Sequence, residues 1–522
     1  MDCEARAGGP PLEAPDPSSF HSRYAPEREA ERHVRACIGS RRPAIVYVIG
    51  GGMGYIHKAV AELLPTSRVV SLQPCDSFYG YQVIEAQIEW RPGGEEPLES
   101  AVARSLADGR LAGGVSVIEW APVTKRYPAQ SERIRIALRD ALESASSDAA
   151  TSAYWAAAWF RNAGRFAAAA RREARIGPGS GTVVIACAGP SLSRFITELK
   201  RHRDDIALWA LASAVPALVS AGLTPDLAVA TDPGFWNALH LRAVAGLGIP
   251  LALTPSAYAT EDAIDRCPII ALDTGLPFER AAVEASGFYG LRCSASGSAA
   301  GTALSFALSC TSGPVALAGY DLAAFGPDDH CRPYPFDPLD AAAASRTRPE
   351  SSARASRTLD GYQAADGGWR VSRAFTAYAS SIRPPARYQG RAFRLSESPV
   401  PTPLQRVSRL EDAALAPGAP PAVRAGSVPL EPRRSSRAER RGAYADRVSS
   451  LLEASLADAR EALEGQSPMP FDAMTVYRAL AGQASAPLVA AMARGEASER
   501  ELLAVHEKAA AALRSMRGGS GG

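Results

Sequence analysis

Short apolar segments alternate with helical patterns between residues 182 and 322, and this alternation constrains the fold more than any other feature of the chain. Six apolar segments predict buried strands: Thr182–Ala186, Ala207–Leu211, Leu227–Thr231, Leu251–Thr254, Ile269–Leu272 and Val315–Ala318. Five helices are predicted between them: Ser193–Arg201, Ala214–Ala221, Phe235–Val244, Phe278–Ala285 and Gly301–Cys310. Strands that alternate with helices form a mainly parallel sheet with right-handed crossovers. The sequence therefore predicts an α/β domain.

A second α/β unit is predicted before this one. The apolar segment 44–49 leads into the glycine-rich turn Gly50–Gly54, and a helix and the strand Arg68–Leu72 follow. A strand, a glycine turn, a helix and a second strand are typical of a Rossmann-like βαβ unit.

Composition along the chain predicts the remaining organisation. A helical region is predicted at the C-terminus, where leucine and alanine recur at three- and four-residue steps. Residues 323–370 lack periodicity and predict a long loop, and residues 388–395 predict an edge strand. The predicted segments are a loose leader (1–40), a Rossmann-like domain (41–147), a linking helix (148–181), a central domain (182–397), a linker rich in proline and arginine (398–436), a helical region (437–517) and a disordered tail (518–522).

Charge and targeting patterns narrow the functional classes. The 57 basic and 55 acidic residues give a net charge of +2, which argues against a dedicated nucleic-acid-binding protein. No apolar run approaches the roughly 20 residues of a membrane-spanning helix. The first residues are acidic and proline-rich, unlike a signal peptide, and the eight cysteines form no Cys-x-x-Cys pair. These features predict a cytoplasmic location.

The segment Gly189-Pro190-Ser191 is a candidate nucleotide-binding turn. It follows a predicted buried strand and precedes a helix that Ser191 can cap. Free N–H groups at such a helix start attract phosphate. An ordinary strand-to-helix turn explains the same residues, and the pattern alone does not decide between the two.

The turn Gly50–Gly54 is a weaker candidate. A Rossmann site binds the ribose hydroxyls through an acidic residue at the end of its second strand. Here the position is Gln73. We therefore predict that this turn binds neither a dinucleotide nor S-adenosylmethionine.

Further candidates follow other predicted strands, at the edge where open parallel sheets bind ligands. Asp232 and Asp321 are placed to bind sugar hydroxyls or a divalent cation. His330 follows on a loop as a candidate general base, although a lone loop histidine is more often simply solvated. A third group consists of Gly297, Ser298 and Thr302, where a helix of small residues begins.

These motifs in this order resemble one superfamily. It contains the bacterial motility-associated factor glycosyltransferases, which modify flagellin, and the archaeal 6-hydroxymethylpterin diphosphokinases. The resemblance covers residues 182–395, and the flanking domains are similar to those of the motility-associated factors. It implies a central domain similar to bacterial sialyltransferases. It also implies a CMP-activated nonulosonic acid, of the pseudaminic or legionaminic type, as donor and a Ser or Thr hydroxyl of flagellin as acceptor.

The resemblance also implies roles for single residues. Gly189, Pro190 and Ser191 match the nucleotide-binding turn, and Gly297, Ser298 and Thr302 match a second phosphate-facing helix start. Asp232 and Asp321 match acids at strand ends, and His330 matches the base. The sialyltransferase turn carries an asparagine where this chain has Ala188. Two alternatives remain: a diphosphokinase that uses Mg²⁺ held by Asp232 and Asp321, and a non-catalytic nucleotide-binding module.

Overall fold

The computed structural model describes residues 20–76, 86–106, 110–295, 297–382, 388, 390–413, 415, 418–425 and 436–518. The chain divides into two compact units. The first comprises Met1–Ala157 and Ser449–Gly522, and the second comprises Ala158–Val448. The first 19 residues of the predicted leader and residues 519–522 of the predicted tail lie outside the described residues.

The N-terminal part of the first unit contains a four-stranded parallel sheet. Its helices are α1 Pro26–Ile38, α2 Tyr55–Leu63, α3 Leu98–Leu106, α4 Ala121–Arg126 and α5 Pro128–Ala169, and α5 continues into the second unit. Its strands are β1 Ile45–Ile49, β2 Arg68–Leu72, β3 Ile88–Trp90 and β4 Val115–Glu119, in the order β3-β2-β1-β4. This order is that of half a Rossmann fold, so the predicted Rossmann-like architecture is confirmed.

The sequence of β1 explains its central position. Val46 and Val48 pack into one hydrophobic cluster, and Ile45, Tyr47 and Ile49 pack into another. Because successive side chains of a strand point to opposite faces, a strand that is apolar at every position is buried on both faces.

The second unit contains more strands than the sequence predicts. Its strands are β5 Ala174–Ile176, β6 Thr182–Ala186, β7 Ile206–Leu211, β8 Leu227–Ala230, β9 Leu251–Leu253, β10 Ile269–Asp273, β11 Gly290–Arg292, β12 Val315–Ala318, β13 Ala324–Phe325, β14 Gln363–Ala364, β15 Trp369–Val371, β16 Ala392–Leu395, β17 Gln405–Val407 and β18 Val423–Ala425. Its helices are α6 Leu192–Arg201, α7 Val215–Ser220, α8 Asn237–Leu247, α9 Glu261–Arg266, α10 Pro277–Ser286, α11 Ala299–Cys310, α12 Asp337–Ala343, α13 Glu350–Asp360 and α14 Arg373–Ser381.

A nine-stranded parallel sheet organises this unit. Its strand order is β11-β10-β9-β8-β7-β6-β12-β16-β17, and each described pairing is parallel. The six predicted strands are all present, and the predicted α/β class is confirmed. The chain order reverses between β6 and β12. Ligands of open α/β sheets bind beyond the carboxyl ends of the strands at such a switch point.

Three regions differ from the sequence-based expectation. The strand predicted at the sheet edge, β16, is internal, because β17 from the predicted linker 398–436 pairs outside it. β18, also from that range, pairs antiparallel with β5, which lies inside the predicted linking helix 148–181. The predicted loop 323–370 contains α12, α13 and the antiparallel sheet β13-β15-β14. These strands have two to four residues, too few for a periodic pattern.

The C-terminal region is helical, as predicted. It consists of α15 Arg437–Glu464, α16 Phe471–Ala481, α17 Ser485–Arg494 and α18 Glu499–Gly518. Residues from Ser449 onward belong to the first unit. In the described part of the chain, no helix is both long and apolar enough to cross a membrane.

Candidate active site

Two glycine turns meet at the switch point between β6 and β12. The N–H of Gly189 donates to the carbonyl of Gly319, 3.0 Å away. A Cβ added to Gly189 would lie 2.3 Å from that carbonyl oxygen and 2.5 Å from Oδ2 of Asp321. Gly319 has a φ of +71°, which favours glycine. The close contact between Gly189 and the Gly319 turn therefore already explains why the predicted nucleotide-binding turn has a glycine at this position.

Asp321 fixes the start of helix α6. Its carboxylate accepts hydrogen bonds from the N–H of Ser191 at 2.7 Å, from the Ser191 hydroxyl at 2.6 Å and from the Ser396 hydroxyl. Asp321 is 1% exposed. Both of its oxygens already serve donors of the protein. This geometry gives Asp321 a positioning role where the sequence predicted a catalytic or metal-binding one, and the N–H of Ser191 is not free for phosphate.

Arg394 on β16 holds the turn that carries Asp321. Its buried guanidinium donates to the carbonyls of Tyr320 at 2.7 Å and Asp321 at 2.9 Å, and also to that of Val400. Burial lowers the pKa of Arg394, and the negative charge of Asp321 opposes that effect. Arg394 was not predicted from the sequence. Its position inside the otherwise apolar strand Ala392–Leu395 could have indicated a structural role, because a buried arginine is rare unless it is paired.

The second predicted helix start faces the same switch point. Ser298 caps α11 by accepting a hydrogen bond from the N–H of Gly301 at 3.2 Å. Burial raises the pKa of the Tyr320 hydroxyl, and a hydrogen bond with Ser298 opposes that shift. Ser298 therefore lies beside the β12 turn. Gly297 precedes it with a φ of +36°, and Thr302 lies in the first turn of α11, 4% exposed.

The structure also brings His330 to this edge. The N–H of Cys331 donates to the carbonyl of Ala188 at 2.8 Å, which holds the neighbouring histidine beside the turn. The ring of His330 stacks on Tyr334 with centroids 4.1 Å apart. Its Nδ1 lies 3.1 Å from Oδ1 of Asp329, at an angle outside the range of a good hydrogen bond. Catalytic hydrogen bonds are often poorly aligned before substrate binds.

Asp329 is suited to orient that ring. Burial raises the pKa of its carboxyl, but the interaction with the nearby His330, together with the charge of Arg357, lowers it below its usual range. An ionised Asp329 favours the tautomer of His330 with the proton on Nδ1. Nε2 then carries the lone pair of the ring.

His240 is a further residue at this edge that was not predicted from the sequence. Its Nε2 lies 3.3 Å from the hydroxyl of Tyr334, the residue stacked on His330. Burial lowers the pKa of His240, a nearby Asp232 raises it, and His330 lowers it further. His240 follows Asp232 by eight residues, and that short spacing was the signal available.

Asp232 lies just beyond the end of β8 and is exposed. Its Oδ1 accepts a hydrogen bond from the N–H of Gly234 at 2.7 Å. In the described residues, no three or more His, Cys, Asp or Glu side chains are grouped as ligands for a metal ion. Because Asp321 is buried and already accepts three hydrogen bonds, Asp232 and Asp321 do not fit the Mg²⁺ site that the diphosphokinase alternative requires.

A buried carboxyl lies at the ends of β9 and β10. Glu279 accepts hydrogen bonds from the Ser256 hydroxyl at 2.5 Å and from the N–H and hydroxyl of Thr274, both at 2.7 Å. Burial raises its pKa to about 7, and the three hydrogen bonds oppose the shift. The sequence analysis did not identify this residue.

We expect Glu279 to make stability depend on pH. A carboxyl whose folded-state pKa exceeds its usual value near 4.5 stabilises the fold while it is protonated. That contribution is complete below about pH 4.5 and is lost as the pH rises through about 7. As the pH is raised from 5 to 8, wild type should therefore lose on the order of 1 to 3 kcal/mol of stability relative to Glu279→Gln. Melting curves of both proteins at the two pH values measure this. The same stability difference between the two proteins at pH 5 and pH 8 would refute it.

The glycine turn of the first unit is filled by side chains of the chain itself. A Cβ on Gly51 would lie 2.2 Å from Cε1 of His57, and one on Gly52 would lie 2.4 Å from Nε2 of His21. That same nitrogen accepts a hydrogen bond from the N–H of Met53 at 3.1 Å. His21 therefore occupies the position from which a phosphate or ribose would contact the turn.

We accordingly predict that the Gly50–Gly54 turn binds neither NAD nor S-adenosylmethionine. Calorimetry with each compound at 1 mM should give no heat of binding. Binding that disappears in a folded Gly52→Trp protein would contradict this prediction.

A comparison with protein families gives a match in the second unit. Residues 160–325 match the family described as 6-hydroxymethylpterin diphosphokinase MptE-like. This match overlaps the predicted central domain (182–397) and includes β6 to β12, the switch point and Asp321.

Two individual proteins are also similar. A protein of Treponema pallidum (strain Nichols), described as uncharacterized, is 25% identical over 237 residues, which are 45% of this chain and 52% of that protein. The chain thus spans about half the length of this relative. The structure of MAf glycosyltransferase from Magnetospirillum magneticum AMB-1 is similar with a TM-score of 0.46 and 14% identity, covering 93% of this chain and 78% of that chain. A TM-score of this size is too low to establish a shared fold.

Proposed function

We propose that the chain is a glycosyltransferase of the motility-associated factor type. It moves a nonulosonic acid, of the pseudaminic or legionaminic type, from a CMP-activated donor to a Ser or Thr hydroxyl of flagellin in the cytoplasm. One observation carries the proposal: His330, next to Asp329, lies beside the turn at the switch point of the nine-stranded sheet. A transferase needs a proton acceptor at the ligand-binding edge, and this pair supplies one.

The proposed step uses these residues in defined roles. The acceptor oxygen forms a bond to the anomeric carbon of the sugar, and its proton moves to Nε2 of His330. The bond between that carbon and the phosphate oxygen breaks, and CMP leaves with the bonding electrons. The starts of α6 and α11 point their positive ends toward the leaving phosphate and stabilise its charge.

The main alternative is a diphosphokinase, which the description of the matching family favours. Diphosphate transfer from ATP uses Mg²⁺ between acidic residues and the phosphates. The geometry disfavours this alternative because Asp321 already accepts hydrogen bonds from Ser191 and Ser396. The third possibility, a non-catalytic module, requires no proton acceptor at all.

A nucleotide panel tests the proposal. We expect CMP, but not UDP, ATP or 6-hydroxymethylpterin, to raise the melting temperature, since a ligand at 100 times its dissociation constant adds about 2.7 kcal/mol of stability. Stabilisation by ATP and pterin without CMP would support the diphosphokinase. If none of these compounds raises the melting temperature, the proposed nucleotide site is wrong.

A matched pair of variants locates the site. Ser193 is exposed in the first turn of α6. Ser193→Glu places a negative charge near the proposed phosphate and should weaken CMP binding about 5- to 10-fold, whereas Ser193→Gln should not. Gly189→Val is a poorer test, because its Cβ would collide with the Gly319 backbone. Equal CMP affinity in both Ser193 variants would place the site elsewhere.

A further inference from the structure

Helices α12 and α13 and the segment between them border a half-open cavity of about 380 Å³. Its lining includes the ion-paired residues Asp340 and Arg357, together with Arg348 and Ser356. Ligand pockets in proteins start at about 300 Å³. The cavity is therefore large enough for one small ring-shaped molecule and too small for a whole nucleotide sugar.

The residues that line this cavity carry one net positive charge, from Arg348 and Arg357 against Asp340. Asp340 is bound by two nitrogens of Arg357, at 2.9 and 2.8 Å. No described residue forms an ion pair with Arg348. The cavity thus presents an excess positive charge.

The backbone of Arg348 is held in place although its side chain is exposed. Its N–H donates to the carbonyl and the hydroxyl of Ser345, both at 3.1 Å. Arg346, two residues earlier, is equally exposed and does not line the cavity. The chain therefore offers an internal control for any effect of charge alone.

The cavity lies close to the loop of the proposed base. Asp337, the first residue of α12, accepts a hydrogen bond from the N–H of Tyr334 at 2.7 Å. Tyr334 stacks on the ring of His330. Asp340, which lines the cavity, is one turn further along α12.

We propose that this cavity binds the sugar of the donor and that Arg348 pairs with the sugar carboxylate. This inference rests on the proposed function and deepens it, because it explains the selection of an acidic sugar. A guanidinium matches the planar geometry of a carboxylate through two parallel hydrogen bonds. The donor carries a second anionic group, its phosphate, and the experiment separates the two.

The test compares Arg348→Gln with Arg346→Gln. With the CMP-activated nonulosonic acid as donor, Arg348→Gln should lower kcat/KM about 10- to 100-fold, the range of a lost hydrogen bond to a charged group. Arg346→Gln should leave it unchanged. A donor whose carboxylate is replaced by a carboxamide should react equally slowly with wild type and Arg348→Gln.

Binding measurements complete the test. Ligand-observed NMR should detect the free nonulosonic acid with wild type and Arg346→Gln but at least 10-fold weaker binding with Arg348→Gln, while CMP affinity stays constant. Weaker CMP binding in Arg348→Gln would assign the arginine to the phosphate and overturn the proposal. Equal effects of both substitutions would also overturn it. If wild type transfers no sugar yet binds the free acid through Arg348, the proposed function fails and the site stands.

Discussion

His330→Ala should slow sugar transfer by about 10²- to 10⁴-fold, the usual contribution of a positioned general base. Donor binding should stay nearly unchanged, because the proposed phosphate contacts come from the starts of α6 and α11. The acid limb of the pH–rate profile reports protonation of the base, so the variant should lose that limb. Steady-state rates with saturating donor between pH 5 and pH 8 measure both effects.

Two milder substitutions control for damage to the loop. Asp329→Asn keeps the shape beside Nδ1 but removes the charge, and it should slow transfer less than loss of the imidazole. Tyr334→Phe keeps the stack on His330 and removes the hydroxyl contact with His240. If His330→Ala transfers sugar at the wild-type rate with an unchanged pH profile, the histidine is a bystander and the base lies among Asp232, Asp328 and Asp329.

Asp321→Ala should cost the second unit about 3–5 kcal/mol of stability. The substitution leaves the N–H and hydroxyl of Ser191 without their buried acceptor. It also removes the acceptor of the buried Ser396 hydroxyl. A buried donor that loses its acceptor typically costs about 1–3 kcal/mol, and three donors lose theirs here. A large fall in melting temperature, measured by circular dichroism, is the expected result.

The control for this substitution is Asp205→Ala. The Asp205 side chain is 68% exposed, so its loss should change stability by less than about 0.5 kcal/mol. Addition of EDTA should not reproduce the effect of Asp321→Ala. An Asp321→Ala protein that melts like wild type but responds to EDTA would return Asp321 to the metal-binding role that the sequence predicted.

The sequence predicts the sheet well where strands are apolar on both faces. β6 and β12 were identified because a buried parallel strand has an uninterrupted apolar run. β17 is not predicted because Gln405 and Arg406 occupy two of its three positions and Pro401 and Pro403 precede it. β17 pairs with β16, and a local sequence pattern does not show which strand lies beside another.

The sequence predicts where the candidate residues lie better than what their side chains contact. The order of the motifs places Gly189, Ser298 and Asp321 at one edge of the sheet, because parallel strands share their carboxyl ends. The direction of the Asp321 carboxylate depends on a contact with Ser191, 130 residues away in sequence. The same holds for His240, whose proximity to Tyr334 arises only when α8 and the loop after β13 pack together.

The most direct test of the proposed sugar transfer is the intact mass of flagellin after incubation with the protein and a CMP-activated nonulosonic acid. We expect mass increases in whole multiples of one nonulosonic acid residue, release of CMP, and loss of both with His330→Ala. Unmodified flagellin, together with release of AMP when ATP and 6-hydroxymethylpterin are supplied instead, would contradict it and identify a diphosphokinase.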